Sequence, residues 1–211
     1  MLGWLANVPL VGSVVSLARD ISLGLGADGK PEIEQRFVPE LQQLRSPEQA
    51  VRLRGKRALP GGSPTPLPLA NQSMQFEIRA TVRQADPHTT DRIGFFVRAS
   101  NDFTERTEVG VDVQAQLVYV DRSRSGTAWD SSDTRAGPLV ATPAKNGSVH
   151  FHIIVDGPIV TVIVNNRTAL TVPVLPRDES VAVAFFTTGG NVMGSVTGTR
   201  SGRRSRHRSL V

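Results

Sequence analysis

Apolar and polar residues alternate along most of the chain beyond residue 75, and this two-residue period constrains the fold more than any other feature. Turn residues such as Asp156-Gly157-Pro158 separate the alternating segments, and no apolar pattern of helical period lies between them. Such spacing is typical of a β-sandwich or barrel. We therefore predict an all-β fold, a sandwich of about nine antiparallel strands. The nine segments lie at positions 76–82, 93–97, 109–113, 117–121, 149–155, 160–164, 169–174, 181–185 and 192–196.

The segment ahead of this region is rich in proline and glycine. Residues 59–68 contain four prolines and two glycines, a composition that predicts a linker or surface loop. Further upstream, Leu41 and Leu44 have the spacing of one or two helical turns. The predicted organisation is an N-terminal segment at 1–54, a linker at 55–73, the sandwich at 74–197 and a basic disordered tail at 198–211.

The net charge of +5 comes from the C-terminal tail, which carries five arginines and no acidic residue. Removing those five from the 24 basic side chains leaves 19, which equals the number of acidic side chains. An arginine-rich tail is able to hold phosphates, but a solvated terminus is the more common form of such a sequence. Nucleic acid is therefore not an expected partner.

Several classes of site are excluded by the absence of particular residues. The chain has no cysteine, so disulfide bonds and thiolate metal sites cannot form. No run of about 18 apolar residues exists, so no membrane-spanning helix is predicted. His150 and His152 share one face of a predicted strand, a spacing that is able to bind metal, but no third ligand stands out. We expect neither a metal site nor a cofactor.

One strand and the turn after it resemble a known family. The segment Leu117-Val118-Tyr119-Val120-Asp121-Arg122-Ser123-Arg124-Ser125-Gly126 resembles the C-terminal sandwich of glycoside hydrolase family 32. This family comprises the β-fructofuranosidases, which include invertases, inulinases and levanases. Arg92-Ile93-Gly94-Phe95 is similar to an earlier strand of that domain, and Ile154-Val155-Asp156 is similar to the start of a later one.

The resemblance continues upstream of the sandwich. Leu2-Gly3-Trp4 and residues 15–23 are similar to the last blade of the family's five-bladed propeller, and residues 36–45 are similar to its inter-domain connector. The resemblance therefore implies that residues 1–54 are the remnant of a propeller blade with its connector. It also implies that the sandwich packs against a propeller and that a homo-oligomer, formed with further copies of the chain, is another expected association.

The resemblance implies a retaining glycosidase whose chemistry lies outside this chain. Retaining enzymes need two carboxyl groups about 5 Å apart. The family places its catalytic carboxylates in Asn-Asp-Pro and Arg-Asp-Pro motifs and beside a cysteine, and this sequence contains none of these. We predict no catalytic residue and the role of an accessory domain of an enzyme acting on sucrose, inulin or levan. The alternative is a non-catalytic carbohydrate-binding module.

The remaining carboxylates and the family motif supply the candidate site residues. Glu105, Glu108 and Asp112 could crowd one another as an acid–base group, but solvated charges are the more common form. In the motif, a turn that uses Asp121 and Ser123 to bind backbone amides is predicted, with a sugar-hydroxyl site as the alternative. The residues to which the resemblance gives a structural role are Asp121, Arg122, Ser123, Ser125, Gly126 and Asp156.

Other candidates lie in predicted loops. Trp129 could stack on a sugar ring or pack against the edge of the sandwich. Asn71, Asn146 and Asn166 begin glycosylation sequons. The apolar N-terminus has no basic region, so it gives no clear signal peptide. The family is commonly secreted or vacuolar, and the location of this chain stays open.

Overall fold

A computed structural model describes residues 1–8, 12–26, 28–45, 51–59, 62–68, 74–84, 90–126, 134–138 and 148–200. Most of these residues lie in strands, and the sheets are antiparallel, which confirms the predicted fold class. The 3-10 helix Pro39–Leu44 is the single helical element among them. The strands are β1 (Trp4–Val8), β2 (Gly12–Val15), β3 (Arg19–Leu25), β4 (Pro31–Phe37), β5 (Val51–Leu59), β6 (Thr65–Leu67), β7 (Gln75–Gln84), β8 (Thr90–Ala99), β9 (Arg106–Asp112), β10 (Leu117–Arg124), β11 (Thr134–Pro138), β12 (Ser148–Asp156), β13 (Ile159–Val164), β14 (Thr168–Pro173), β15 (Ala182–Gly189) and β16 (Val192–Arg200).

Strands β5 to β16 form a sandwich of two antiparallel sheets. Among the described residues, the first sheet has the strand order β14-β13-β12-β7-β16-β5 and the second sheet the order β11-β10-β9-β8-β15-β6. The inward-facing half of each alternating strand builds the core between them. Phe95 on β8 contacts Phe151 and Phe185 edge to face, with ring centroids 5.5 Å apart in both pairs. The alternation therefore predicts both the strands and the residues that they bury.

Three edge strands lie where we predicted no strand. β5 pairs with β16, β6 pairs with β15, and β11 pairs with β10. The segment 55–73 therefore differs from the predicted linker, because it contributes strands to both sheets. An edge strand has one side without a neighbour, so it tolerates charge and proline. Pro66 in β6 and the basic residues of β5 are tolerated at these edges, and they make the apolar–polar alternation of the two strands hard to recognise in the sequence.

Two hairpins precede the sandwich, β1 with β2 and β3 with β4. They are joined through Met1, whose amino group donates to Arg19 O at 2.6 Å and whose carbonyl accepts the Arg19 N–H at 3.0 Å. The 3-10 helix follows β4, where Leu41 and Leu44 predicted a helical turn, and it leads toward β5. We call β3 and β4 the N-terminal hairpin.

Candidate functional site

The family motif forms a turn at the end of β10, here called the anchor turn (residues 121–126). Asp121 Oδ1 accepts the N–H of Ser123 at 2.8 Å, and Ser125 N–H donates to Arg122 O at 2.8 Å. The Thr107 hydroxyl donates to Ser125 Oγ at 2.7 Å, and both side chains are buried. The pairing of β9 and β10 shifts register at this point. These polar groups of the turn hold its own backbone and the neighbouring strand.

The anchor turn also reaches the other sheet. The buried Arg122 donates from Nη1 to Pro173 O at 3.1 Å, at the end of β14. Gly126 has φ +73° and bridges Leu175 in the segment that follows β14. A Cβ at position 126 would overlap Leu175 O, so glycine is required by both backbone conformation and space. The turn thus connects β10 of the second sheet with the end of β14 in the first sheet and with the segment that follows it.

Residues 174–181 cross from β14 to β15 and are here called the crossing segment. Two further side chains, on or beside strands of the second sheet, bind this segment. Arg98, almost fully buried, donates from Nη2 to Arg177 O at 3.3 Å. Glu105 accepts from Arg177 Nε at 3.2 Å and from the Ser180 hydroxyl. Burial alone would raise the pKa of Glu105, but these hydrogen bonds outweigh it and lower that pKa. This carboxylate therefore acts as an ionised acceptor for the crossing segment.

The three carboxylates that could have formed an acid–base group bind separate arginines. A retaining pair needs one carboxyl group that keeps its proton beside one that does not. The observed arrangement is instead that of structural ion pairs. These pairs are Glu105 with Arg177 at 3.2 Å, Glu108 with Arg106 at 2.8 Å and Asp112 with Arg92 at 3.2 Å.

A second polar cluster lies on the outer face of the first sheet, centred on Glu77 of β7. Arg45, just after the 3-10 helix, donates to both carboxylate oxygens, from Nε at 2.5 Å and from Nη2 at 2.7 Å. Arg79 Nε lies 2.8 Å from Oε1, and His152 Nε2 lies 2.7 Å from the same oxygen. Because a carboxylate only accepts, Nε2 of His152 carries the proton. We call these four residues the Glu77 cluster.

The electrostatics of the Glu77 cluster follow from these contacts. Burial alone would raise the pKa of Glu77, but the hydrogen bonds from His152 and Arg45 far outweigh it and hold the pKa well below its usual range. Burial lowers the pKa of His152 and outweighs the opposing effect of its hydrogen bond with Glu77. Phe37, at the end of β4, packs edge-on against His152 with ring centroids 4.6 Å apart. Phe37 and Arg45 therefore attach the segment that they flank to the sandwich through an aromatic contact and a largely buried charge.

A third polar contact lies at the turn between β13 and β14. Asn165 and Asn166 both have φ +55°, and the exposed Asn166 accepts the N–H of Gln35 on its carbonyl at 2.7 Å. Arg167 is buried and forms ion pairs with the N-terminal hairpin. The Thr168 hydroxyl donates to Pro138 O. The predicted sequon at Asn166 therefore lies in a turn that also contacts the hairpin.

The remaining candidates are placed in different surroundings. Asp156 is the exposed last residue of β12, and its Oδ1 accepts a hydrogen bond from Gln75 Nε2 at 2.7 Å. His150 Nδ1 lies 3.0 Å from the Thr81 hydroxyl. Trp129, Asn71 and Asn146 lie outside the described residues.

Neither a metal-binding cluster nor a membrane-spanning helix occurs in the part of the chain that the structure describes. No group of three or more histidine, cysteine, aspartate or glutamate side chains there could hold a metal ion. Within the same ranges, no helix has the length and apolar character needed to cross a membrane.

The sequence alone did not indicate the residues that join the N-terminal segment to the sandwich. Glu77 and its partner Arg45 are 32 positions apart, and Gln35 and Arg167 are 132 positions apart. Contacts between residues so far apart in the sequence leave no local pattern. The one available signal was the alternation of Glu32 and Glu34 on a short strand, which places two carboxylates on the same face.

Comparison with known proteins identifies the family. An extracellular exo-inulinase of Aspergillus awamori is 37% identical over 98 residues, which cover 44% of this chain and 18% of that protein. The levanase of Bacillus subtilis is 28% identical over 203 residues, which cover 90% of this chain and 28% of that protein. These matches thus cover less than a third of the length of either curated relative.

The solved structure of the exo-inulinase from Aspergillus awamori has the same fold as this chain. It superposes with a TM-score of 0.79 at 24% identity, over 95% of this chain and 40% of that one. The family model described as glycosyl hydrolases family 32 C terminal matches residues 40–200. This confirms the resemblance carried by the anchor turn and its neighbouring strands. The chain belongs to glycosyl hydrolase family 32, of which it contains the C-terminal domain.

Proposed function

We propose that this chain is the supporting C-terminal domain of an enzyme that hydrolyses fructose-containing substrates such as sucrose, inulin or levan. In this proposal the catalytic carboxylates lie in another part of that enzyme. Two observations on the chain support it. The family's catalytic motifs are absent from the sequence, and the carboxylates around β9 are engaged in structural ion pairs.

The observation that carries the proposal is an apolar face on the N-terminal hairpin. Ile21, Leu23 and Leu25 alternate along β3, and Ile33 of β4 lies opposite Leu23. All four are exposed, and 78% of the surface of Leu23 is accessible. Contiguous apolar patches of this kind mark interaction surfaces. We infer that the rest of the enzyme, with the propeller that the family resemblance implies, covers this face.

The alternative role, carbohydrate binding by the sandwich itself, has less support from the described residues. Phe96, Tyr119 and Phe186 lie together on the outer face of the second sheet, but all three are buried. A ring that stacks on a sugar must expose its face. This observation favours a supporting role over a lectin-like one.

The first expected result concerns catalysis. The purified chain should release no fructose from sucrose, inulin or levan above the rate without protein, because its sequence contains none of the family's catalytic motifs. Chromatographic measurement of released fructose checks this, with the exo-inulinase from Aspergillus awamori as the positive control. Release at an enzyme-like rate would refute the proposed role.

Titration with sucrose, inulin and levan tests the lectin-like alternative. Saturable millimolar binding of one of these sugars that is lost in Trp129→Ala would support that alternative.

The second expected result concerns the apolar face. The isolated chain should bind a hydrophobic dye, and Leu23→Glu should reduce the bound dye fluorescence severalfold. Its unfolding midpoint should hardly change, because exposed substitutions alter stability by about 0.5 kcal/mol or less. Met193→Glu is the matched control, since Met193 is also exposed but lies on β16, away from the hairpin. Equal dye binding by both variants would argue against a docking face on the hairpin.

A further inference from the structure

Arg167 is the residue through which the sandwich holds the N-terminal hairpin. Only 3% of its side-chain surface is accessible, and all three of its nitrogen atoms lie within 3.1 Å of an oxygen atom of the hairpin. Nε lies 3.1 Å from a Glu32 oxygen, and Nη1 lies 3.0 Å from a Glu34 oxygen. Nη2 donates to Leu25 O at 2.9 Å. One buried guanidinium from the sandwich therefore binds both strands of the hairpin.

The backbone around Arg167 completes this contact. Asn166 O accepts the N–H of Gln35 at 2.7 Å, and Arg167 O accepts from Gln35 Nε2 at 2.7 Å. Asn165 and Asn166 both adopt the left-handed conformation that asparagine tolerates better than most residues. This conformation turns two consecutive carbonyl groups toward β4. The turn at residues 165–167 therefore offers a guanidinium and two acceptors in one place.

Apolar packing adds little to the attachment of the hairpin. Its large apolar side chains Ile21, Leu23, Leu25 and Ile33 face solvent, and Phe37 at its end is the buried exception. Among the described residues, neither β3 nor β4 pairs with a strand of the sandwich. Segments that are held mainly by polar contacts open locally at lower free energy than a packed core. The attachment consequently depends on Arg167 more than on buried area.

We propose that the turn at residues 165–167 is a socket that holds the N-terminal hairpin through Arg167, and that the hairpin leaves this socket as a unit while the sandwich stays folded. The socket fits an edge strand that carries glutamates two positions apart and a glutamine beside them, as β4 does. Without the guanidinium, the partly buried Glu32 would lose its ion-pair partner, and Glu34 would keep only its pair with the exposed Arg36. This inference is independent of the proposed enzymatic partner, because docking of the hairpin is measured in this chain alone.

Hydrogen exchange followed by mass spectrometry on the full chain tests the socket. In Arg167→Met, amides of residues 19–37 should exchange about 100-fold faster than in the unchanged chain, which is the size expected when one partner of a buried ion pair is removed. Peptides from β8 and β12 should keep their exchange rates. Arg167→Lys should give a smaller increase, because it retains the charge but not the forked geometry.

Two further variants keep the test decisive. Arg177→Met is the matched control, since Arg177 pairs with Glu105 and not with the hairpin, and it should leave exchange in residues 19–37 unchanged. The double change Glu32→Gln with Glu34→Gln should release the hairpin without altering the sandwich, even if Arg167→Met fails to fold. Equal acceleration of the hairpin and the sandwich, or no acceleration of the hairpin, would overturn the proposal.

Discussion

Gly126→Ala is expected to lower the free energy of unfolding by about 3 kcal/mol, the largest loss that we expect from a single methyl group. Two effects add at this position. The backbone of Gly126 has φ +73°, which costs a residue with a side chain about 1 kcal/mol. A Cβ would also overlap the carbonyl oxygen of Leu175, so the anchor turn and the crossing segment would have to move apart. Urea unfolding measures the loss.

Gly157→Ala separates these two effects. Gly157 has φ +58°, but no atom lies within 4 Å of the position that its Cβ would occupy. This variant should therefore lose only the conformational part, about 1 kcal/mol. The difference between the two variants reports the contact between Gly126 and Leu175. Equal losses would show that the contact between the two sheets contributes nothing at this point.

Glu77→Gln is expected to lower the free energy of unfolding by about 2 kcal/mol at neutral pH. Removing one member of a buried ion pair typically costs 3–5 kcal/mol, and we expect less here because Arg79 is half exposed and Arg45 partly so. Glutamine keeps the shape of the side chain but cannot balance the two guanidinium groups. The loss should appear in urea unfolding at pH 7.

The same variant should change how stability depends on pH. Although burial alone would raise the pKa of Glu77, its hydrogen bonds hold that pKa well below the value of about 4.3 expected in the unfolded chain. As the pH falls through this range, the unfolded state takes up a proton that the folded state does not, so stability is lost toward acid. Glu77→Gln should therefore show a flatter decline between about pH 5 and pH 2.

The matched control for this measurement is Asp28→Asn. Asp28 also has a lowered pKa, chiefly because of its hydrogen bond with Lys30, but both side chains are exposed. Solvent screens such a pair, so the change should leave the acid dependence close to that of the unchanged chain. A decline in Glu77→Gln as steep as in the unchanged chain would show that the Glu77 cluster does not set the acid response.

Local patterns explain which part of the fold could be predicted. Nine strands of the sandwich are long enough, and face the core on one side regularly enough, for alternation to reveal them. The missed strands β5, β6 and β11 lie at sheet edges, where Gly55, Pro66 and Gly137 interrupt the pattern without harm. An edge strand is specified mainly by the neighbour with which it pairs, and that neighbour is distant in the sequence.

In the candidate site, too, local sequence patterns reveal some of the residues and not others. The anchor turn was visible because its residues are consecutive and because glycine, serine and aspartate have strong local preferences in turns. Glu77 and Arg167 were not visible, because an isolated charged residue on a strand has the same local pattern whether it is solvated or buried in an ion pair. Their roles depend on partners from the N-terminal segment, and only the folded chain brings those partners together.

The position of β16 has a consequence for how the domain is made. This strand is the last of those that the structure describes, yet it lies inside the first sheet, between β7 and β5. During synthesis, β5 and β7 emerge more than a hundred residues before the strand that separates them. Until β16 is available, β5 and β7 each have an edge with unpaired backbone N–H and C=O groups. Such edges are the sites at which incompletely folded β-proteins aggregate. Because distant pairing is slow, we expect the nascent chain to depend on protection until β16 has been synthesised and has paired with β5 and β7.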